Sequence, residues 1–235
     1  MYFFQYQYFK FRLDVFLYSN IISVMKLELP KLQKVTKENG ERYYVTPQGN
    51  RYPSVTTVLS EPKKLQLAKW KERVGEEEAN RVRNFAARRG TTFHTLCENY
   101  LEGNELEDSI GGMFNRFKPY LKRIKNIQCL EQHVYSDELK VAGQLDCVGE
   151  YDRCISIIDF KTSSKPKDIK NIWDYFMQAS AYSYMFEDRT GIPIRDITIL
   201  ISCETGEVQE FFSTREEWIE GFKHYRSLYS KEFTE

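Results

Sequence analysis

The chain reads as an α/β (α+β) protein, with a mixed central β-sheet flanked by helices, and two observations predict it. Helical patterns fill the first half, a meander of strands follows, and one helix, two strands and a last helix close the chain. Within the meander, Cys154–Ile158 is an almost unbroken β-branched run, the mark of a strand buried on both faces.

Each element has its own signal. Arg42–Thr46 and Asn50–Pro53 flank Pro47-Gln-Gly49 and read as a small hairpin. Ser54–Leu59 opens a helical region, and Leu65–Arg89 is strongly helical, with Leu67, Trp70, Val74, Val82 and Phe85 on an apolar stripe. Gly90 is expected to punctuate. Thr91 or Thr92 would then cap a helix from Phe93 to Leu101 that stops at Gly103. Met113–Lys125 is an amphipathic helix and Asn126–Tyr135 a strand. A hairpin of Val141–Asp146 with Ile155–Thr162 comes next, then a polar loop, and a helix over Ile172–Asp188. Thr198–Ser202 and Val208–Ser213 pair across Glu204-Thr-Gly206, and Thr214-x-x-Glu217 is a capping box for a helix to about Ser230.

Composition bounds the function. A length of 235 residues supports one domain with a substantial core, and no repeat or low-complexity linker divides it, so residues 25–235 are expected to be a single domain. The formal net charge is zero, so any nucleic-acid binding must rest on local patches. Five cysteines without a C-x-x-C imply neither a disulfide framework nor a zinc or iron–sulfur site, and fit a reduced, cytoplasmic setting. Residues 1–24 differ from the rest, being crowded with aromatics and without a clean period. Lys10, Arg12 and Asp14 interrupt them, so they lack the roughly 20 apolar residues of a membrane span, and no membrane partner is expected. They also lack a secretory or mitochondrial targeting pattern, and Met25 is expected to be the natural start, with residues 1–24 a non-native or disordered extension.

The chemistry concentrates in the hairpin. A two-residue loop at Asp152-Arg153 places Asp146 opposite Asp159, with side chains about 4.5–5.5 Å apart at Cβ. Strand alternation puts Lys161 on the same face as Asp159, about 6–7 Å further along. Two carboxylates that close repel unless a cation sits between them, and their hard oxygens suit Mg²⁺ or Mn²⁺. The lysine suits a substrate that brings negative charge, most simply a phosphodiester. An Asp-x-Lys triplet alone is commonplace on solvated faces; its position at the end of a buried strand is what singles it out.

Other pieces follow helical spacing. His94 and Glu98 lie one turn apart, and His94 is an acceptable further ligand for either ion, with Glu98 free to fix the imidazole or face solvent. Gln178 and Tyr182 likewise share a helix face among small residues. Arg81, Arg83, Arg88 and Arg89, with Lys165 and Lys167, would form a local basic rim if the fold gathers them. His133 and His224 lack a partner pattern, and Cys147 is read as structural.

Taken in order, G-x-x-x-H-x-x-x-E at Gly90, His94 and Glu98, G-x-x-D at Gly143 and Asp146, D-x-K-T at Asp159, Lys161 and Thr162, and Q-x-x-x-Y at Gln178 and Tyr182 resemble the RecB-like branch of the P-D-(D/E)-x-K nucleases. The segment Tyr52–Leu59 is similar to the one that opens the mitochondrial genome maintenance exonucleases and their phage relatives. The resemblance spans about residues 40–230. It implies a restriction-endonuclease-like core and a divalent ion held by His94, Asp146, Asp159 and the backbone carbonyl of Phe160. It further implies that Lys161 positions the attacking water and that Gln178 and Tyr182 support substrate or the lysine. From the basic rim, Arg88 and Arg89 are expected to contact substrate, with Glu98 and Thr162 supporting the site. The iron–sulfur members of the branch are a poor match, because the cysteine arrangement is missing.

The expectation is a Mg²⁺- or Mn²⁺-dependent DNA exonuclease preferring single strands, with DNA as partner and replication or recombination proteins as further candidates. A DNA-binding protein that keeps the fold without turnover, and a structure-specific endonuclease using the same site, are the alternatives. The setting is expected to be intracellular, in a virus or bacterium, with a mitochondrion also compatible.

Overall fold

A strand that carries apolar residues on both sides needs cover on both sides, and the architecture supplies it. The structure, a computed structural model, describes residues 27–38, 40–106 and 111–229. The expectations for residues 1–24 and for Met25 lie outside them. Five strands form the main sheet in the order β4 (Ile124–Ser136), β5 (Val141–Tyr151), β6 (Cys154–Ser163), β7 (Asp196–Cys203) and β8 (Val208–Thr214). All neighbours are antiparallel except β6 and β7, which are parallel, so the sheet is mixed. A parallel pair needs a crossover, and α5 (Trp173–Thr190) provides it.

Side chains alternate across the sheet. Ile157, Ile197, Ile199 and Ile201 pack on the face covered by α5, α6 (Arg215–Leu228) and α1 (Val55–Ser60). Ile158, Phe160 and Leu200 pack on the other, against Phe93 and Cys97 of α3 (Glu76–Glu102) and Phe114, Phe117 and Leu121 of α4 (Gly112–Leu121). β6 is thus apolar on both faces, and Asp159 sits within it at 1% exposure. A second sheet of β1 (Gln33–Thr36), β2 (Arg42–Val45) and β3 (Arg51–Pro53) lies beside β5. It is joined there by a parallel bridge from Ser54 to Ala142 and a hydrogen bond from the Tyr52 hydroxyl to Asp137 Oδ1 (2.8 Å).

The hairpin register agrees with the sequence. Tyr151 faces Cys154 and Cys147 faces Ile158, the register set by a two-residue loop. Asp152 and Arg153 have φ of 48° and 74°, the positive pair that a type I′ turn demands.

Four local expectations change. Gly90 does not break the helix, for α3 runs unbroken from Glu76 to Glu102 and His94 lies well inside it. The break falls at Gly75, whose φ of 87° separates α2 (Lys64–Val74) from α3. A mid-helix glycine costs only ~1 kcal/mol, and the helix continues because Phe93 and Cys97 have a core to join. The apolar stripe before Gly90 does not meet the core: Leu67, Val82 and Phe85 stay exposed. The helix expected to Lys125 ends at Leu121, after Pro119, and β4 starts at Ile124. Finally, Thr214 makes no capping hydrogen bond with its side chain; Glu217 accepts from the Ser213 hydroxyl instead. Among the described residues no helix is long and apolar enough to cross a membrane.

Candidate active site

Three carboxylates form a row across the sheet. The β5–β6 register carries Asp146 towards Asp159, one step past the last paired residues. The β4–β5 register pairs Gln132 with Leu145 and Leu130 with Cys147, which brackets Glu131 against Asp146. Neighbouring strands lie ~4.8 Å apart, so three acids in such a row repel strongly unless cations intervene. His94 supplies one from above. Its Nδ1 lies 3.4 Å from Asp146 Oδ1 and 3.7 Å from Glu131 Oε1. Lys161 supplies another, with its ammonium against Asp159 Oδ2 and over the Tyr175 ring at 5.3 Å.

Asp146 also takes part in the backbone. Its Oδ2 accepts from the Phe160 N–H at 2.7 Å, where the β5–β6 ladder has just ended. The carboxylate thereby satisfies a buried donor that would otherwise be orphaned. From α5, the Gln178 amide donates to Asp159 Oδ1 (3.3 Å) and to the Tyr182 hydroxyl (3.1 Å), so the i, i+4 pair shares one face as its spacing predicts.

Burial and charge set the protonation. For His94, burial opposes the charged form, but the Asp146 carboxylate beside it and hydrogen bonds to Asp146 and Glu131 carry its pKa up to about 10. Burial likewise opposes charge on Asp146, yet His94, Lys161 and the Phe160 N–H hold it below its ordinary value. Asp159 goes the other way: burial, reinforced by Asp146, pushes it up to about 6 against the pull of Lys161. Burial would depress Lys161, but Asp159 and Asp146 hold it above its usual range, as a cation.

One His nitrogen and one carboxylate oxygen each from Glu131 and Asp146 lie within 4.8 Å of one another, and this mixed set suits a divalent ion. A further acceptor stands ready: Asp159 Oδ2 is buried and accepts no well-directed hydrogen bond, only the approach of the Lys161 ammonium. The residues present therefore fit a metal of this class.

The sequence reading missed Glu131. Its signal was the four-residue connection Asp137–Lys140, which sets the β4–β5 register. Glu98 lines the same cleft but does not fix the imidazole, whose Nδ1 faces Asp146 and Glu131. Arg88 is exposed and is not among the described residues that line the cleft over the cluster. Arg89 is committed elsewhere, donating to Thr162 Oγ1 (3.2 Å) and pairing with Glu204 (2.9 Å), and Arg81 pairs with Glu78. Of the six residues of the expected basic rim, Arg81 and Arg89 are thus paired with carboxylates. Phe160 contributes a buried ring beside Phe117.

Gly143 earns its place through Tyr182. A Cβ there would lie 2.6 Å from the Tyr182 ring, which is itself buried and tied to Gln178. Gly143→Ala should therefore cost about 1–3 kcal/mol by overpacking, or roughly 2–12 °C of thermal midpoint for a chain of this size. Differential scanning calorimetry checks it, and an unchanged midpoint would show that the ring moves aside freely.

The cleft over the cluster has a volume of about 470 Å³ and is lined by His94, Glu98, Glu131, Asp146, Gln178 and Tyr182. Residues 64–228 match the family model of the PD-(D/E)XK nuclease superfamily. The chain is 34% identical over 149 residues to mitochondrial genome maintenance exonuclease 1 of Mus musculus, covering 57% of this chain and 44% of that protein. It is 30% identical over 168 residues to the Homo sapiens protein of the same name, covering 62% and 49%. The chain thus spans about half the length of the curated relatives it matches. Among solved structures, that of SSO0001 is 16% identical with a TM-score of 0.42, over 76% of this chain and 77% of that one.

Proposed function

Since the chain belongs to the PD-(D/E)XK nuclease superfamily, we propose that it is a Mg²⁺- or Mn²⁺-dependent DNA exonuclease acting on single strands. One observation carries the reading: the His94, Glu131 and Asp146 donors converge beside Asp159 and Lys161, the Asp-x-Lys pair. The two curated exonucleases similar to this chain support the exonucleolytic part.

His94, Glu131, Asp146 and Asp159 would hold the ion. Such an ion, when bound, supplies Lewis acidity to a phosphoryl oxygen and lowers the pKa of water. The chain's own groups do the rest. Lys161 keeps its proton under the field of Asp159 and Asp146, so its part is electrostatic, opposing the negative charge that builds on phosphoryl oxygens. Gln178 holds Asp159 through Oδ1, which keeps the other oxygen turned to Lys161. Phe160 and Phe117 close the side of the sheet below the cluster and exclude water there.

The test uses end-labelled linear and circular single-stranded DNA with Mg²⁺, Mn²⁺ or a chelator. Linear strands should shorten only with metal, and circles should survive. Cut circles would overturn the exonuclease in favour of an endonuclease. A mobility shift without cleavage in either metal would make the protein a binding module.

A further inference from the structure

We propose that Arg42, on the small sheet, grips a phosphodiester of the substrate strand from the wall of the cleft opposite α3. The inference rests on the nuclease reading and names a substrate contact for that site.

The cleft is short of positive charge where a nucleic acid needs it. Glu98, Glu131 and Asp146 line it, and Lys161 is engaged with Asp159. Arg42 is the one lysine or arginine among the described residues that line this cleft. Its backbone is fully occupied. The N–H donates to Thr57 Oγ1 (3.0 Å), and the carbonyl accepts from Ser54 N (2.8 Å) and the Thr57 hydroxyl (3.1 Å). These bonds fix the strand and leave the side chain to do something else.

That side chain is half-buried. Among the described residues no carboxylate lies within ion-pair distance of its guanidinium, whereas Arg89, Arg123 and Arg215 each have one. Arg42 and Tyr44 share a strand face, and the buried Tyr44 hydroxyl feels both Arg42 and Glu131. The guanidinium is therefore near the acidic row without being neutralised by it. A half-buried arginine fork that faces an acidic cleft has a natural complement in a phosphate, which it can take with two parallel hydrogen bonds.

The test compares Arg42→Gln and Arg42→Lys with the unaltered protein on a labelled single-stranded oligonucleotide. Arg42→Gln should raise KM about tenfold and flatten the salt dependence of Ca²⁺-supported binding by about one unit of log–log slope. Its kcat should stay within about twofold, and its thermal midpoint should hardly move, because the side chain makes no hydrogen bond or ion pair among the described residues. Arg42→Lys should recover the salt slope but only part of the affinity. A single neutral methylphosphonate walked along the strand should weaken binding at one linkage besides the scissile one, and Arg42→Gln should abolish the sensitivity there alone. Should the Gln variant melt early, absence of a sensitive linkage other than the scissile one on the unaltered protein overturns the proposal. Unchanged KM and slope in a folded Gln variant also overturn it while leaving the nuclease intact. An unaltered protein that neither binds nor cuts DNA refutes the nuclease reading itself.

Discussion

Lys161→Ala is expected to lower cleavage by about two to four orders of magnitude, with Ca²⁺-supported DNA binding retained. Among the described residues the ammonium is the one cation paired with Asp159, and in the proposed chemistry it faces the charge that develops on the phosphoryl group. Removing one partner of a buried pair ordinarily costs ~3–5 kcal/mol. Here the loss should be smaller, because burial already inclines Asp159 towards its protonated form. Activity and stability therefore separate: single-turnover cleavage collapses while the melting curve shifts modestly. Lys161→Met, which keeps an apolar stem of similar length and loses the ammonium that lies over Tyr175, should be equally inactive and melt closer to the unaltered protein. Cleavage within tenfold of normal in either variant would remove the electrostatic role.

The second large effect is expected at Asp146, where two substitutions divide two duties. Asp146→Ala removes a carboxylate from the cluster and leaves the buried Phe160 N–H without its acceptor, a penalty of about 1–3 kcal/mol. Asp146→Asn keeps an oxygen for that N–H and loses only the charge. Both should abolish Mn²⁺ uptake in a calorimeter and reduce cleavage by at least about a hundredfold. Only the alanine variant should melt substantially earlier. The imidazole offers an independent readout, since Asp146, with help from Glu131, lifts His94 to about 10. In both variants its pKa, followed by NMR, should fall. An imidazole that stays put would mean that Glu131 alone holds the proton.

The sheet around the site was legible in the sequence because its signals are local. The run Cys154–Ile158, the two-residue turn at Asp152-Arg153 and the i, i+4 spacing of Gln178 and Tyr182 each specify geometry within a few residues. Glu131 was hidden because its position depends on pairing between β4 and β5, with a backbone φ of 48° at the residue itself. The partners of Arg89 were hidden for a related reason. A helical arginine near a nucleic-acid site invites assignment to substrate, and only tertiary structure discloses Glu204 and Thr162 as its partners. Gly90 misled in the opposite sense, since a glycine signals a break only when no packing rewards continuation.

The parallel pairing of β6 with β7 has a consequence for the order in which the molecule becomes competent. Asp159 and Lys161 are flanked on one side by a hairpin neighbour and on the other by Ile199 and Ile201, which leave the ribosome about forty residues later. Gln178, the clamp on Asp159, sits in the segment between. On the proposed nuclease reading, the Asp159–Lys161 pair of a growing polypeptide therefore lacks its strand neighbour and its clamp until the last third of the chain has docked.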